Sequence, residues 1–170
     1  TKMITLLGLN RKTDIWKDAR PLLELFIENH LLEEAVQTCD VLYQSEQAES
    51  IAALVHGVWL SVSFPIDPHL TVTMLNHIVD ETPKDSDGAA LAAVAAHYIV
   101  GTRASDEDFE NLNFFTANLI SQVASGHSQI ESQEELNAWM DKLQLNDPEV
   151  FLPRLGAVLN IIVNENDWWF

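Results

Sequence analysis

Residues 88–100 read Gly-Ala-Ala-Leu-Ala-Ala-Val-Ala-Ala-His-Tyr-Ile-Val. Ala89 through Ala96 are apolar without exception, so a helix built from them has no face to offer water. Such a helix belongs near the centre of a fold, covered on most sides. Its small side chains let neighbouring backbones approach closely. Gly101 then supplies a natural stop, because glycine adopts the left-handed conformation that ends many helices.

The flanking sequence surrounds this segment with amphipathic helices. On the C-terminal side, Ser105 with Asp108 resembles a capping box with Asp in place of Glu and opens a helix carrying Phe109, Leu112, Phe115, Leu119, Ile120 and Val123, running to Gly126. Ser132 with Glu135 repeats the device before Leu136, Trp139, Met140 and Leu143. Asp147-Pro148 pairs an N-cap with a proline at the first helical position, where its missing N–H costs nothing. Pro153 should interrupt or kink this last helix, whose apolar face is Leu155, Val158, Leu159, Ile162 and Val163.

On the N-terminal side, the polar linker Glu81–Asp87 with Pro83 is the best candidate for a mid-chain subdivision. Asp67-Pro68 starts a helix to Val79, and Leu70, Met74, Leu75 and Ile78 point inward. Before it, Ala48, Ile51, Ala52, Val55, Trp59 and Val62 repeat at helical spacing from about Glu46 to Ser63, as do Leu32, Ala35, Val36, Cys39, Leu42 and Tyr43. Pro21 suits the start of a helix carrying Leu22, Leu23, Phe26 and Ile27. Ile15–Ala19 fits a helical turn, and Met3–Leu9 reads as either a short strand or a helical turn. Thr1 and Lys2 precede the first methionine, as a remnant ahead of a natural start at Met3 would.

The fold class is therefore all-α, with seven to nine helices in one domain of 170 residues. A compact multi-helix bundle and a short irregular α-solenoid fit equally well. Helical hairpins here would be about 35–40 residues long, the scale of helical repeats. No residue-level period recurs, however, and the Trp, Gly, Tyr and Ala spacing of tetratricopeptide repeats is missing. There is no apolar run long enough for a membrane span, and Met3–Leu9 is too short for a secretory signal. Cys39 is the sole cysteine. It lies on an apolar stripe and reads as a buried structural thiol in a reducing, cytoplasmic setting.

Charge narrows the partners. The net charge is -17. Residues 21–83 hold Glu24, Glu28, Glu33, Glu34, Asp40, Glu46, Glu49, Asp67, Asp80 and Glu81 and not one lysine or arginine. The first twenty residues carry Lys2, Arg11, Lys12, Lys17 and Arg20 against Asp14 and Asp18. Such a field repels nucleic acid and anionic lipid and attracts basic proteins.

Chemistry-bearing motifs are thin. The six glycines lie at least thirteen residues apart, too sparse for a phosphate loop or dinucleotide fingerprint. No histidine has a glutamate three residues before it, and no two histidines are four apart, so helical di-iron and zinc-protease patterns are missing. His30 with Glu33, and His77 with Asp80, are each half a site. Gly126-His127-Ser128-Gln129 begins like a nucleophile elbow, but Ile130 stands where the second glycine belongs. It reads instead as a helix end. Asp106, Glu107, Asp108 and Glu110 sit where carboxylates offset a helix dipole.

The resulting expectation is a non-enzymatic protein–protein interaction module without cofactor or metal: a helical adaptor, chaperone or assembly factor. The alternative is an acidic inhibitor or immunity-type protein that neutralises a basic toxin or nuclease. A homo-oligomer stays open. The candidate partner-binding residues are Glu24, Glu28, Glu33, Glu34 and Asp40 on the base-free helices, together with Trp168, Trp169 and Phe170. These three aromatics either fold back to close the core or dock onto another chain. Trp16 and Trp59 are expected in the core.

Overall fold

The computed structural model describes the backbone of residues 2–164 and 167–170, and side chains from Arg11 onward outside the same gap. Among the described residues there are eight helices and no strand: α1 (Lys2–Glu28), α2 (Leu32–Gln44), α3 (Ser50–Ser63), α4 (Pro68–Glu81), α5 (Asp87–Arg103), α6 (Asp106–Ser128), α7 (Gln133–Lys142) and α8 (Pro148–Val163). The chain forms two compact units. The first comprises residues 1–66 and 162–170, and the second residues 67–161. The 81–87 linker lies inside the second.

In the first unit α2 packs against both α1 and α3. Its core is Leu23 from α1, Ala35, Val36, Cys39 and Leu42 from α2, and Ala53, Leu54 and Val58 from α3, all fully buried. Two sequence expectations change here. Met3–Leu9 is helical, and α1 runs unbroken through Pro21 instead of starting there. One proline deletes a single backbone hydrogen bond from a long helix, and packing on the neighbouring helix can absorb that loss. Leu22, expected inward, is exposed, because Leu23 takes the buried position.

In the second unit α5 packs against α4 and α6, which also touch each other, while α6 meets α7. Gly88 through Ala96 are all buried, as the alanine run requires. A Cβ added at Gly88 would lie 3.3 Å from Val158 Cγ1, so α8 approaches the start of α5 closely. The caps form as read. Asp67 accepts from the His69 N–H at 2.9 Å, Ser105 from Asp108 at 3.3 Å, Ser132 from Glu135 at 3.1 Å and Asp147 from Glu149 at 3.0 Å.

The stops differ from expectation. α5 continues through Gly101 to Arg103, and α6 through Gly126 to Ser128. α6 ends instead on Gln129 at φ 55, with the Gln129 N–H on the Ser125 carbonyl at 2.9 Å. α8 runs through Pro153. Phe109 and Phe115 are partly exposed on α6, and Phe114 is 70% exposed.

Candidate protein interface

Within the first unit, the segment 167–170 folds back onto α1 and α3. Asn164 follows α8 at φ 64, a conformation asparagine tolerates, and the Asp167 N–H donates to its carbonyl at 2.8 Å. The folded-back segment centres on His56, a fully buried side chain of α3. The Trp169 backbone N–H donates to His56 Nε2 at 2.8 Å. An acceptor at Nε2 places the ring proton on Nδ1, which donates to the Ala52 carbonyl at 2.6 Å. Burial holds the His56 pKa below the ordinary histidine value; the Ala52 bond opposes this and the Arg20 cation reinforces it.

Three aromatic rings surround this imidazole. Trp169 stacks on it at 4.4 Å and 14°, while Trp168 and Phe170 each approach edge-on at 4.8 Å. Trp16 of α1 meets Trp169 edge-on at 6.3 Å. The Arg20 guanidinium lies 3.9 Å from the centre of the Trp169 ring and also pairs with Glu24 at 3.2 Å. Trp168, Trp169 and Phe170 thus close over α1 and α3, yet none is fully buried.

Trp59 corrects an expectation. It is 40% exposed, not core, and stands 6.0 Å from Phe64, 6.3 Å from Trp168 and 6.4 Å from Phe170. Helical spacing assigned Trp59 to the inward stripe. It lies instead at the edge of that stripe, where the folded-back segment becomes its neighbour. Phe64 is 36% and Phe170 43% exposed, so these rings form a partly open aromatic patch.

The carboxylates have a different setting. Glu24 and Glu28 on α1, and Glu33 and Glu34 in the first turn of α2, are exposed; Asp40 is half-buried and accepts from Gln44 at 3.0 Å. The basic N-terminal stretch offsets part of the acidity, through Lys12–Glu46 at 2.9 Å and Arg20–Glu24. Arg20 therefore joins the acidic residues to the aromatic patch, with Glu24 one helical turn along. Cys39 is fully buried, its thiol pushed up to about 12 chiefly by burial, with Arg20 opposing and Asp40 adding.

Of the two histidine–carboxylate pairs, His77 and Asp80 lie together on α4. His30 lies at φ 58 in the turn between α1 and α2, off any helical face shared with Glu33. Among the described residues no three His, Cys, Asp or Glu side chains are grouped as metal ligands, and no helix is long and apolar enough to cross a membrane. In the second unit, a cleft of about 500 Å³ is walled by α4, α5 and α6, with Asp80, Lys84 and Gln122 at its polar side. Sequence reading gave no sign of it, because its shape depends on how three successive helices pack, which helical periodicity does not specify.

His127 also gains unforeseen partners. Trp139 Nε1–H donates to its Nδ1 at 3.2 Å, as does the Ser128 hydroxyl at 2.6 Å. Its Nε2–H donates to Asp87 Oδ1 at 2.9 Å. Arg154 reaches Asp87 Oδ2 at 3.3 Å and the Leu143 carbonyl at 2.6 Å. The resulting polar clasp ties together α5, α6, α7 and α8.

Comparison of the chain with known protein families, curated proteins and solved structures finds no match.

Proposed function

We propose that the protein is a non-enzymatic protein–protein interaction module, an adaptor, chaperone or assembly factor acting on a basic partner. The observation that carries this reading is the partly open patch of Trp59, Phe64, Trp168 and Phe170, beside which Arg20 lies on Trp169 and pairs with Glu24 of α1. Large aromatics that stay exposed are the usual anchors of protein interfaces. Indole faces beside carboxylates favour lysine and arginine side chains, by cation–π attraction and by charge. A reducing, cytoplasmic setting suits the single buried thiol.

The test is capture from native extract at low and high salt, with Trp59→Ala as control. A basic partner retained by the wild type and lost with Trp59→Ala supports the proposal. Equal capture by both proteins places the contact elsewhere.

A second reading is an acidic inhibitor of immunity type. The exposed Glu24, Glu28, Glu33 and Glu34 favour it, since charge alone would then dominate recognition. Binding abolished at high salt and indifferent to Trp59→Ala would select this reading.

A further inference from the structure

We propose that protonation of His56 releases the segment 167–170, making the aromatic patch of the first unit pH-gated. This rests on the interface reading above for its biological meaning, but not for its physical test. Both ring nitrogens are committed: Nδ1–H to the Ala52 carbonyl at 2.6 Å, and Nε2 to the Trp169 N–H at 2.8 Å. An added proton has only Nε2 to occupy. There it faces the Trp169 N–H, and an attractive contact becomes two opposed donors. This contact ties the segment's main chain to the His56 side chain of α3.

The surroundings decide against accommodating the charge. His56 is fully buried, so its imidazolium cannot be hydrated in place. A stacked imidazolium would gain some attraction to the Trp169 face. That indole already carries the Arg20 guanidinium at 3.9 Å, and a second cation against the same ring meets like charge. Arg20 of α1 is the charged group acting on His56. The elements packed nearby add Cys39, which stays neutral, the half-buried Asp40 and the exposed Asp167. Leaving the site relieves these costs together: the imidazole reaches water and the Trp169 N–H finds a new acceptor. Release lies on the acid side of the ordinary histidine value of about 6.5, because burial and Arg20 hold the folded pKa below it.

The experiment is fluorine NMR of the intact protein labelled with fluorotryptophan, titrated from about pH 7.5 to about pH 4.5, a range spanning histidine ionisation. Resonances are assigned with Trp168→Phe and Trp169→Phe, and the His56 ring is followed in parallel by proton–carbon NMR. The expected result is that the Trp168 and Trp169 signals move to solvent-exposed positions with the same midpoint as the His56 ring, while far-ultraviolet circular dichroism stays constant. His56→Gln, which accepts from Trp169 but does not titrate, should hold the signals fixed across the range. Tryptophan signals that stay put while His56 titrates would overturn the proposal, as would the same movement in a folded His56→Gln. If that variant does not fold, the coincidence of midpoints in the wild type decides. A released segment without any partner binding would count against the interface reading alone.

Discussion

Asp87 Oδ1 lies 2.9 Å from His127 Nε2, and the two residues sit at opposite ends of neighbouring helices, Asp87 in the first turn of α5 and His127 in the last turn of α6. The carboxylate meets the positive end of the α5 dipole, which favours it, and the His127 Nε2–H donates to it from the last turn of α6.

Asp87→Ala should therefore destabilise the second unit by about 1 kcal/mol, a modest figure because the carboxylate is half-exposed and solvent screens it. Asp87→Asn keeps an acceptor for the His127 Nε2–H and should lose less. Urea unfolding followed by far-ultraviolet circular dichroism measures both.

Thr116 and His97 make a second prediction. The buried Thr116 hydroxyl donates to the Leu112 carbonyl at 2.9 Å and accepts from His97 Nδ1–H at 2.8 Å. Thr116→Val removes that acceptor and should cost about 1–2 kcal/mol, the usual penalty for an unpaired donor away from water. Chemical denaturation of the variant checks it.

pH dependence follows from His56 and His97, both with pKa lowered by burial. Above about pH 6.5 each is neutral folded and unfolded and adds no pH dependence; below it the unfolded chain takes up protons that the folded chain resists. Stability should fall as pH drops from that value toward the folded pKa. Thermal melts across this window should show a declining midpoint, flattened in part by His97→Gln.

How much of this was visible beforehand depends on the kind of signal. Caps at Asp67, Ser105, Ser132 and Asp147 were legible, because a side-chain oxygen and an N–H two or three residues on are local partners. The burial of α5 was legible from its alanines. Helix ends were not. His30, Glu46, Gln129, Gln144 and Asn164 take the left-handed conformation beyond α1, α2, α6, α7 and α8, and no described glycine does, so reading glycines as stops misplaced the ends of α5 and α6. Of the candidate interface, exposure of the four glutamates could be read from helical spacing. The place of Trp169 against His56, 113 residues away in the chain, could not.

α5 provides a contrasting pair of substitutions. Ala93 is fully buried, so Ala93→Leu should cost about 1–3 kcal/mol by overpacking. A Cβ at Gly101 would meet nothing within 4 Å, and this position is helical, so Gly101→Ala should stabilise by about 0.5–1 kcal/mol. Thermal unfolding of the two variants separates the signs.

Replacing Glu33 and Glu34 with lysine should slow association with a basic partner and flatten its salt dependence. Because both lie in the first turn of α2, the lysines would also face the positive end of the helix dipole, at about 0.3–1 kcal/mol each. Glu33→Gln with Glu34→Gln avoids that reversal, and stopped-flow rates for both pairs isolate the field from the fold.

Four of the five tryptophans, Trp16, Trp59, Trp168 and Trp169, belong to the aromatic group around His56, and the fifth, Trp139, rests against His127. Each unit thus sets indole against imidazole, four rings around His56 in the first and one on His127 in the second. In a Trp139→Phe background, emission reports the first unit alone. Excitation transfer among its close-set indoles makes that emission a sensitive gauge of their mutual geometry. With that one replacement the protein's own indoles gauge the first unit, and no dye is needed to read them.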